Sequence, residues 1–318
     1  MQQFDGRHQL SSSLAGAPIM CREKSFREML LSPKLAFVME AHDALSAKIV
    51  ENAGFPGIWA SGLSMSTALG VRDANEASWS QVLSVLEFMS DTTSIPILVD
   101  GDTGYGNFNS VRRLVKKLCQ RNIAAVCIED KIFPKTNSFL GEKQPLAEID
   151  EFCGRIKAGK DSQLNEHFSI VARVEALIAG LSVGEALQRA NAYCEAGADA
   201  ILIHSKAGDA SEIIAFCKQW NGRSPLIVVP TKYFRTPTDI FRENGISMII
   251  WANHNIRAAM AAMENVCQKI FQEQSVVKVE ETIAPLEGIF DLFDYEELSR
   301  AERRYLPPHP IAPSGRSK

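Results

Sequence analysis

The chain has 318 residues, 46% of them hydrophobic and 23% charged, with 34 basic against 38 acidic side chains. This is the composition of a globular protein long enough to bury a sizeable core, as one large domain or two smaller ones. The net charge of −4 supplies no basic stripe for nucleic acid, and no apolar run approaches the ~18 residues that span a bilayer, so neither partner is expected.

The first eight residues, Met1 to His8, are neither basic nor apolar as a block, which argues against a secretory signal. Short β-rich apolar runs then fall at 36–40, 57–60, 96–100, 124–129, 170–174, 200–203, 226–229 and 248–251. Segments with helical periodicity separate them, such as 111–121, 183–196 and 210–219. Near-continuous apolar strands joined by helices imply a parallel sheet covered by helices, an α/β fold. Eight such units in roughly 230 residues fit a closed (β/α)8 barrel of the TIM type better than an open doubly wound sheet. No G-x-G-x-x-G follows the first strand, which weakens a dinucleotide-binding reading. A single barrel domain is expected over 21–305, between flexible tails at 1–20 and 306–318 that carry no core pattern. The seven cysteines, at 21, 119, 127, 153, 194, 217 and 267, form no C-x-x-C pair and read as the reduced thiols of a cytoplasmic protein.

In such barrels the catalytic groups gather at the C-terminal ends of the strands. Those ends carry His42-Asp43, Ser61-Gly62, Asp100-Gly101-Asp102, Glu129-Asp130, Arg173 with Glu175, His204-Ser205, Thr231 and Asn253. The strand beginnings carry turn signals instead, such as Ala53-Gly54, Ile95-Pro96, Ala196-Gly197 and Asn244-Gly245. The asymmetry points to one shared active site at one end of one barrel.

Asp73 follows the second strand in Leu69-Gly70-Val71-Arg72-Asp73-Ala74-Asn75-Glu76, either folding over the barrel mouth or capping the helix that begins near Ser78. After the third strand, Asp100-Gly101-Asp102-Thr103-Gly104-Tyr105-Gly106-Asn107 puts carboxylates at i and i+2, which suits a divalent cation, although Asp with Gly also makes simple turns. Glu129 ends the adjacent strand and strengthens the cation reading. All-oxygen ligands favour Mg2+, with Mn2+ as a substitute, over zinc. Next comes Lys131-Ile132-Phe133-Pro134-Lys135-Thr136-Asn137-Ser138, a lysine-bearing polar loop suited to phosphoryl oxygens. Arg173 offers a planar fork for a carboxylate or phosphate, or a salt bridge to Glu175 or Glu129. His204 reads either as a core histidine or as a ligand contact. A metal beside a phosphoryl-binding loop suggests metal-assisted chemistry on a small phosphorylated or phosphonylated acid.

These stretches resemble the phosphoenolpyruvate mutases of the isocitrate lyase/phosphoenolpyruvate mutase superfamily. So do Ser61-Gly62-Leu63-Ser64, Val171-Ala172-Arg173-Val174-Glu175-Ala176, His204-Ser205-Lys206, Val229-Pro230-Thr231-Lys232-Tyr233 and Ile250-Trp251-Ala252-Asn253-His254. The resemblance spans residues 30–305 and implies a barrel whose last helix is exchanged between subunits, in a homotetramer built as a dimer of dimers. It implies Mg2+-dependent interconversion of phosphoenolpyruvate and 3-phosphonopyruvate, the entry of phosphorus into phosphonate biosynthesis, coupled to a phosphonopyruvate decarboxylase. By the same resemblance Asp100 is the direct Mg2+ ligand, and Asp102 and Glu129 hold metal-bound waters. Ser61 and the N–H groups of Gly62 and Leu63 cradle the pyruvate oxygens, and Trp59 walls the pocket. Arg173, His204, Asn137 and Ser138 contact phosphoryl or carboxylate oxygens. Lys135 and Asn137 ride on a gating loop, and Asp73 is a nucleophile or an orienting acid.

The loop beginning at Lys131 lacks the cysteine and histidine of the K-[KR]-C-G-H loop in the isocitrate lyase branches, which disfavours carbon–carbon lysis. Phosphonopyruvate hydrolase, giving pyruvate and phosphate, is the nearer alternative, and Asn137 within E-D-K-x-F-P-K-x-N-S favours the mutase. A non-catalytic barrel scaffold is disfavoured because neither the metal acids nor Arg173 are missing. Gly101 stands where many relatives have Ala, a change expected to be tolerated. Residues 139–144 follow the family only loosely, so the motion of the gate is expected to differ.

Overall fold

The computed structural model describes residues 21–140 and 145–307. The expected tail at 1–20, all but the first two residues of the expected tail at 306–318, and the loop residues 141–144 lie outside the described residues. The chain runs α1 (Arg22–Leu31), β1 (Ala36–Ala41), α2 (Ala44–Asn52), β2 (Ile58–Ala60), α3 (Gly62–Ala68), α4 (Trp79–Thr92), β3 (Ile97–Asp100) and α5 (Phe108–Cys119). It continues through β4 (Ala125–Glu129), α6 (Ile149–Lys160), β5 (Ser169–Val174), α7 (Val183–Glu195), β6 (Ala200–Ile203), α8 (Ser211–Trp220), β7 (Leu226–Val228), α9 (Thr238–Glu243) and β8 (Met248–Trp251). Four further helices follow: α10 (His254–Glu273), α11 (Val277–Glu280), α12 (Leu286–Leu292) and α13 (Tyr295–Tyr305).

The eight strands close into a parallel barrel in chain order, β8 pairing back to β1 from Ala36↔Met248 to Met39↔Trp251. Each strand lies within one residue of its limits as read from the sequence. The helix expected at 111–121 starts earlier, at Phe108, because the side chain of Asn107 accepts from the Asn109 N–H and caps it.

Strand parity organises the interior, because alternate residues point to opposite faces. One buried cluster holds Ala36 and Val38 of β1, Trp59, Leu98, Ala125 and Cys127, Val171, Ala200 and Leu202, Ile227, and Met248 and Ile250. These are the inward rows of the barrel. Phe26 and Leu30 of α1 belong to the same cluster. Arg22 of α1 reaches Ser90 and the carbonyl of Ser94, and Arg27 reaches the carbonyl of Glu166, all ahead of the strands β3 and β5. Helix α1 therefore plugs the N-terminal end of the barrel. The outward rows, such as Ile97, Val99, Val126, Ile128, Ile201 and Ile203, form the second cluster with the helices.

Two features of the outer shell matter later. Glu40, fully buried at the end of β1, accepts from the backbone N–H groups of Asn255 (2.7 Å) and Ile256 (3.2 Å), so a barrel carboxylate caps α10. Helices α10, α12 and α13 bury no residue, and they and the turn after α12 expose Met260, Met263, Phe271, Ile289 and Phe293. The seven cysteines are all unpaired, and no described helix is long and apolar enough to cross a membrane.

Gly101 corrects an expectation. A Cβ there would lie 2.6 Å from Val126 Cγ2 and 3.0 Å from the Cys127 carbonyl oxygen, because the Gly101 N–H donates to that carbonyl at 2.8 Å and draws the end of β3 onto β4. An added methyl meets backbone and cannot be absorbed freely. Gly101→Ala is expected to lower unfolding stability by about 1–3 kcal/mol through overpacking. In a denaturant-unfolding cycle with Val126→Ala, a favourable coupling of about 1 kcal/mol between the two changes is expected; strict additivity would show that the contact imposes no strain.

Candidate active site

At the C-terminal end of the barrel the inward rows stop being apolar. The row of β3 passes from Leu98 to Asp100, that of β4 from Cys127 to Glu129, that of β5 from Val171 to Arg173, and that of β6 from Leu202 to His204. Strand register sets Asp100 beside Cys127, Glu129 beside Arg173, and Arg173 beside Leu202. The pleat alone thus brings two acids, a guanidinium and an imidazole to one mouth. Asp130, one residue past Glu129, turns the other way. It accepts from Tyr193 Oη (2.7 Å), Arg189 Nη1 (3.2 Å) and the Glu175 N–H (2.9 Å), fastening β4 to α7.

A cavity of about 50 Å3 sits over this mouth. Trp59, Ser61, Leu63, Asp73, Asp100, Lys135, Asn137, Ser138, Arg173 and His204 line it, which brings ten of the thirteen expected residues together. Gly62, Asp102 and Glu129 stand behind the lining. Ser61 caps α3 by accepting from the Ser64 N–H (3.3 Å), and this leaves its own O–H able to donate into the cavity. The Gly62 N–H is directed at Asp100 Oδ2 at 3.3 Å, so it holds a carboxylate in place rather than pointing freely into the cavity.

Glu175 is the hub, and the sequence offered it only as a partner for Arg173. It is fully buried and accepts from Arg173 Nε (2.5 Å), Ser138 Oγ (2.7 Å) and His204 Nδ1 (2.7 Å), with Lys131 Nζ at 3.3 Å. Burial opposes its charge, but Arg173, His204 and Lys131 outweigh it and hold Glu175 well below the usual carboxylate range. His204 Nδ1 also lies 2.9 Å from Arg173 Nη2, which can only donate. The shorter contact to a carboxylate assigns the proton to Nδ1. Burial and the neighbouring guanidinium lower the His204 pKa, so the ring is neutral near pH 7 with Nε2 as its acceptor. His204 is therefore neither an apolar core histidine nor a free cation.

Ser138 is expected to touch substrate, yet its hydroxyl is already saturated. It donates to Glu175 and accepts from Lys131 Nζ (2.8 Å) and Arg173 Nη2 (2.9 Å), the full capacity of one O–H. The loop beyond β4 thus hangs on Ser138 at one end. At the other, Lys135 Nζ pairs with Asp73 Oδ1 (2.7 Å) and Asp102 Oδ1 (2.6 Å), and Asn137 Nδ2 donates to Asp73 Oδ2 (2.6 Å). Asn75 adds a clamp, accepting from the Lys135 N–H (2.7 Å) and donating to Asp102 Oδ2 (2.7 Å). Asp73 is not a helix cap, since Ser78 caps α4. Burial works to raise the Asp73 pKa, but Lys135 and Asn137 win and lower it.

The acids fit a hard cation. Among the described residues neither carboxylate oxygen of Glu129 has a hydrogen-bond partner, although Arg173 Nε lies 3.4 Å from one, and Asp102 Oδ1 meets only the Lys135 ammonium. Burial pushes Glu129 up to about 7 and Asp102 up to about 6, against the pull of Arg173 and Lys135. Five carboxylates (Asp73, Asp100, Asp102, Glu129, Glu175) stand against three cations (Lys131, Lys135, Arg173), a formal deficit of two positive charges. Among the described residues no three acid, histidine or cysteine side chains converge into a ready-made cage. That suits an ion such as Mg2+, which binds one or two carboxylates and keeps its waters.

A family model of phosphoenolpyruvate phosphomutases matches residues 26–271. The chain belongs to that family. A phosphoenolpyruvate phosphomutase of Tetrahymena pyriformis is 58% identical over 281 residues, covering 88% of this chain and 94% of the relative. The crystal structure of a phosphoenolpyruvate phosphomutase from Streptomyces platensis subsp. rosaceus superposes with a TM-score of 0.88 at 40% identity, covering 90% of this chain and 99% of that one. A phosphonopyruvate hydrolase in complex with oxalate and Mg++ superposes with a TM-score of 0.85 at 39% identity, over 91% of this chain and all of that one.

Within this family frame, sequence reading missed Lys131, Asn75 and Phe139 as parts of the site. Lys131 is 1% exposed, rare for a lysine, and only its place beside Glu129 hinted at it. Phe139 packs edge-on against His204 with centroids 5.5 Å apart. Glu175→Gln is expected to lower kcat/KM by about 10²-fold, since it loosens preorganised donors. It is also expected to leave His204 as a mixture of tautomers in 15N NMR. A variant that keeps the Nδ1–H tautomer would remove Glu175 from the role of orienting His204.

Proposed function

We propose that the chain is an isomerase that interconverts phosphoenolpyruvate and 3-phosphonopyruvate, with Mg2+ as its cofactor and Mn2+ as a substitute. The reading is carried by the closed cover: Asp73 holds both Lys135 and Asn137 across a small cavity floored by Arg173. In the forward direction the P–O bond to the enol oxygen breaks, C3 of the pyruvate enolate attacks phosphorus, and C2–O becomes a carbonyl. No proton is gained or lost. Such a loose transfer requires positioning and charge stabilisation more than covalent help. Asp100, with Asp102 and Glu129 beside it, would hold the ion, which when bound would supply charge stabilisation for the enolate oxygen.

The chain's own residues do the rest. Arg173 balances negative charge in the cavity, held in place by Glu175 and Ser138. Lys135 and Asn137 close over the transferring group and exclude water, which would otherwise divert it to pyruvate and phosphate. Trp59, Ser61, Gly62 and Leu63 border the pyruvate end, and Ser138 acts through Arg173. Both Asp73 oxygens are engaged, one by Lys135 and one by Asn137, which supports an orienting acid over a nucleophile. Carbon–carbon lysis finds no support, because the loop beginning at Lys131 carries no cysteine. The hydrolase remains the nearest alternative reaction, and the greater identity to the Tetrahymena mutase supports isomerisation.

We further propose a cytoplasmic homotetramer whose catalytic unit is residues 21–305, coupled to a phosphonopyruvate decarboxylase. The exposed Met260, Met263, Phe271, Ile289 and Phe293 support an exchange of the terminal helices between subunits. Sedimentation is expected to give a tetramer, and a monomer at micromolar concentration would remove that part.

31P NMR of the protein with phosphonopyruvate and Mg2+ is expected to show phosphoenolpyruvate growing in. Pyruvate with inorganic phosphate would identify a hydrolase instead. Asp73→Ala should lower turnover by more than about 10²-fold with the fold intact, through misplacement of Lys135 and Asn137. Asn137→Ala should lose a similar factor and leak some phosphate; unchanged kinetics would detach the cover from the chemistry.

A further inference from the structure

A second, larger cavity of about 720 Å3 adjoins the catalytic one and shares Leu63, Phe139, Thr231 and Asn253 with it. Its other walls bring in Lys232, from the β7–α9 connection, and His254 and Arg257, from the first turn of α10. Among the described residues no carboxylate lines it, in a chain whose acidic side chains outnumber its basic ones. Lys232 and Arg257 are both exposed to solvent. Lys232 Nζ lies 5.0 Å over the Phe139 ring, and Phe139 meets His204 edge-on, so the ring touches a cation of the second cavity and the imidazole of the first. In the shared wall, Asn253 is buried and its Oδ1 has no hydrogen-bond partner among the described residues. A carboxamide turned end for end would present its NH2 to a passing anion.

The catalytic cavity itself poses an electrostatic problem for its substrate. Two carboxylates and two cations line it, and the acids behind the lining bring the site to five against three, so even with one divalent cation bound it offers a multiply charged anion no net positive charge. A path of opposite sign, between walls with few competing charges, focuses the field and raises the local concentration of such an anion.

We propose that the second cavity is a vestibule for small acids bearing both a carboxylate and a phosphoryl or phosphonyl group. Lys232 and Arg257 gather the anion there and pass it under Phe139 to Arg173. This rests on the function proposed above, since only a multiply charged substrate gives the two cations something to steer.

The test uses the full-length protein with Mg2+ and phosphonopyruvate as the probe, comparing wild type with Lys232→Gln, Arg257→Gln and the double variant. At low ionic strength the double variant is expected to lose about tenfold in kcat/KM, with kcat little changed, as fits a loss of steering. The gap should close near 1 M salt, where the screening length falls to about 3 Å. Wild-type salt dependence in the double variant, or a loss confined to kcat, overturns the vestibule while leaving the isomerase reading intact. A double variant that instead falls apart in sedimentation also overturns it, because the face would then be covered by a second copy. Absence of any turnover by the wild type overturns the isomerase reading, and the vestibule with it.

Discussion

The site depends on one buried carboxylate. Glu175 makes contact with a guanidinium, an ammonium, an imidazole and a hydroxyl, and each of these has a different task around the cavity. Burying an ion is costly, and an isolated one would take up a proton instead of staying charged. Here the cost is offset because every acceptor direction is filled, two of them by the charged Arg173 and Lys131. The reverse also holds. Without Glu175 and the metal acids beside them, Lys131 and Arg173 would be buried cations with no counter-charge.

The barrel supplies the geometry at no extra expense of backbone strain. Side chains two residues apart on one strand share a face, so Arg173 and Glu175 are neighbours by pleat alone. Adjacent strands add Glu129 and His204 by register. The loops then contribute the cover: Asp73 and Asn75 from one side, Lys135 to Ser138 from the other. Strand ends and cover meet at Ser138 and at Lys135.

Much of this was legible in the chain. The eight apolar runs marked the strands to within a residue, because a strand buried on both faces has no polar interruption to blur it. The polar residues that end those runs marked the mouth. Spacing alone could not choose between Asp73 as helix cap and as cover partner, since a carboxylate before a helix is compatible with both; the choice was made by Ser78, whose hydroxyl bonds the Gln81 N–H. The bonds of Ser138 to Glu175, Lys131 and Arg173 were not legible, because a sequence gives hydroxyls but not how many of their bonds are taken. Gly101 was thought replaceable because its crowding comes from Val126 and Cys127 on the next strand, a contact 25 residues away in the chain. Lys131 and Phe139 lay inside a recognised loop, where nothing in the pattern separates a side chain facing inward from one facing water.

The cap on α10 has a mechanical meaning. Glu40 holds the second and third amides of a helix that then leaves the barrel without burying a single residue. Twenty residues of helix make an arm about 30 Å long, pivoting on a point inside the barrel mouth. A tilt of about 5° at that pivot would swing the far end by roughly 2–3 Å. Whatever grips the far end therefore holds a long handle on the turn that carries Ala252 and Asn253, and a weak load there becomes a stronger force at the cavity wall.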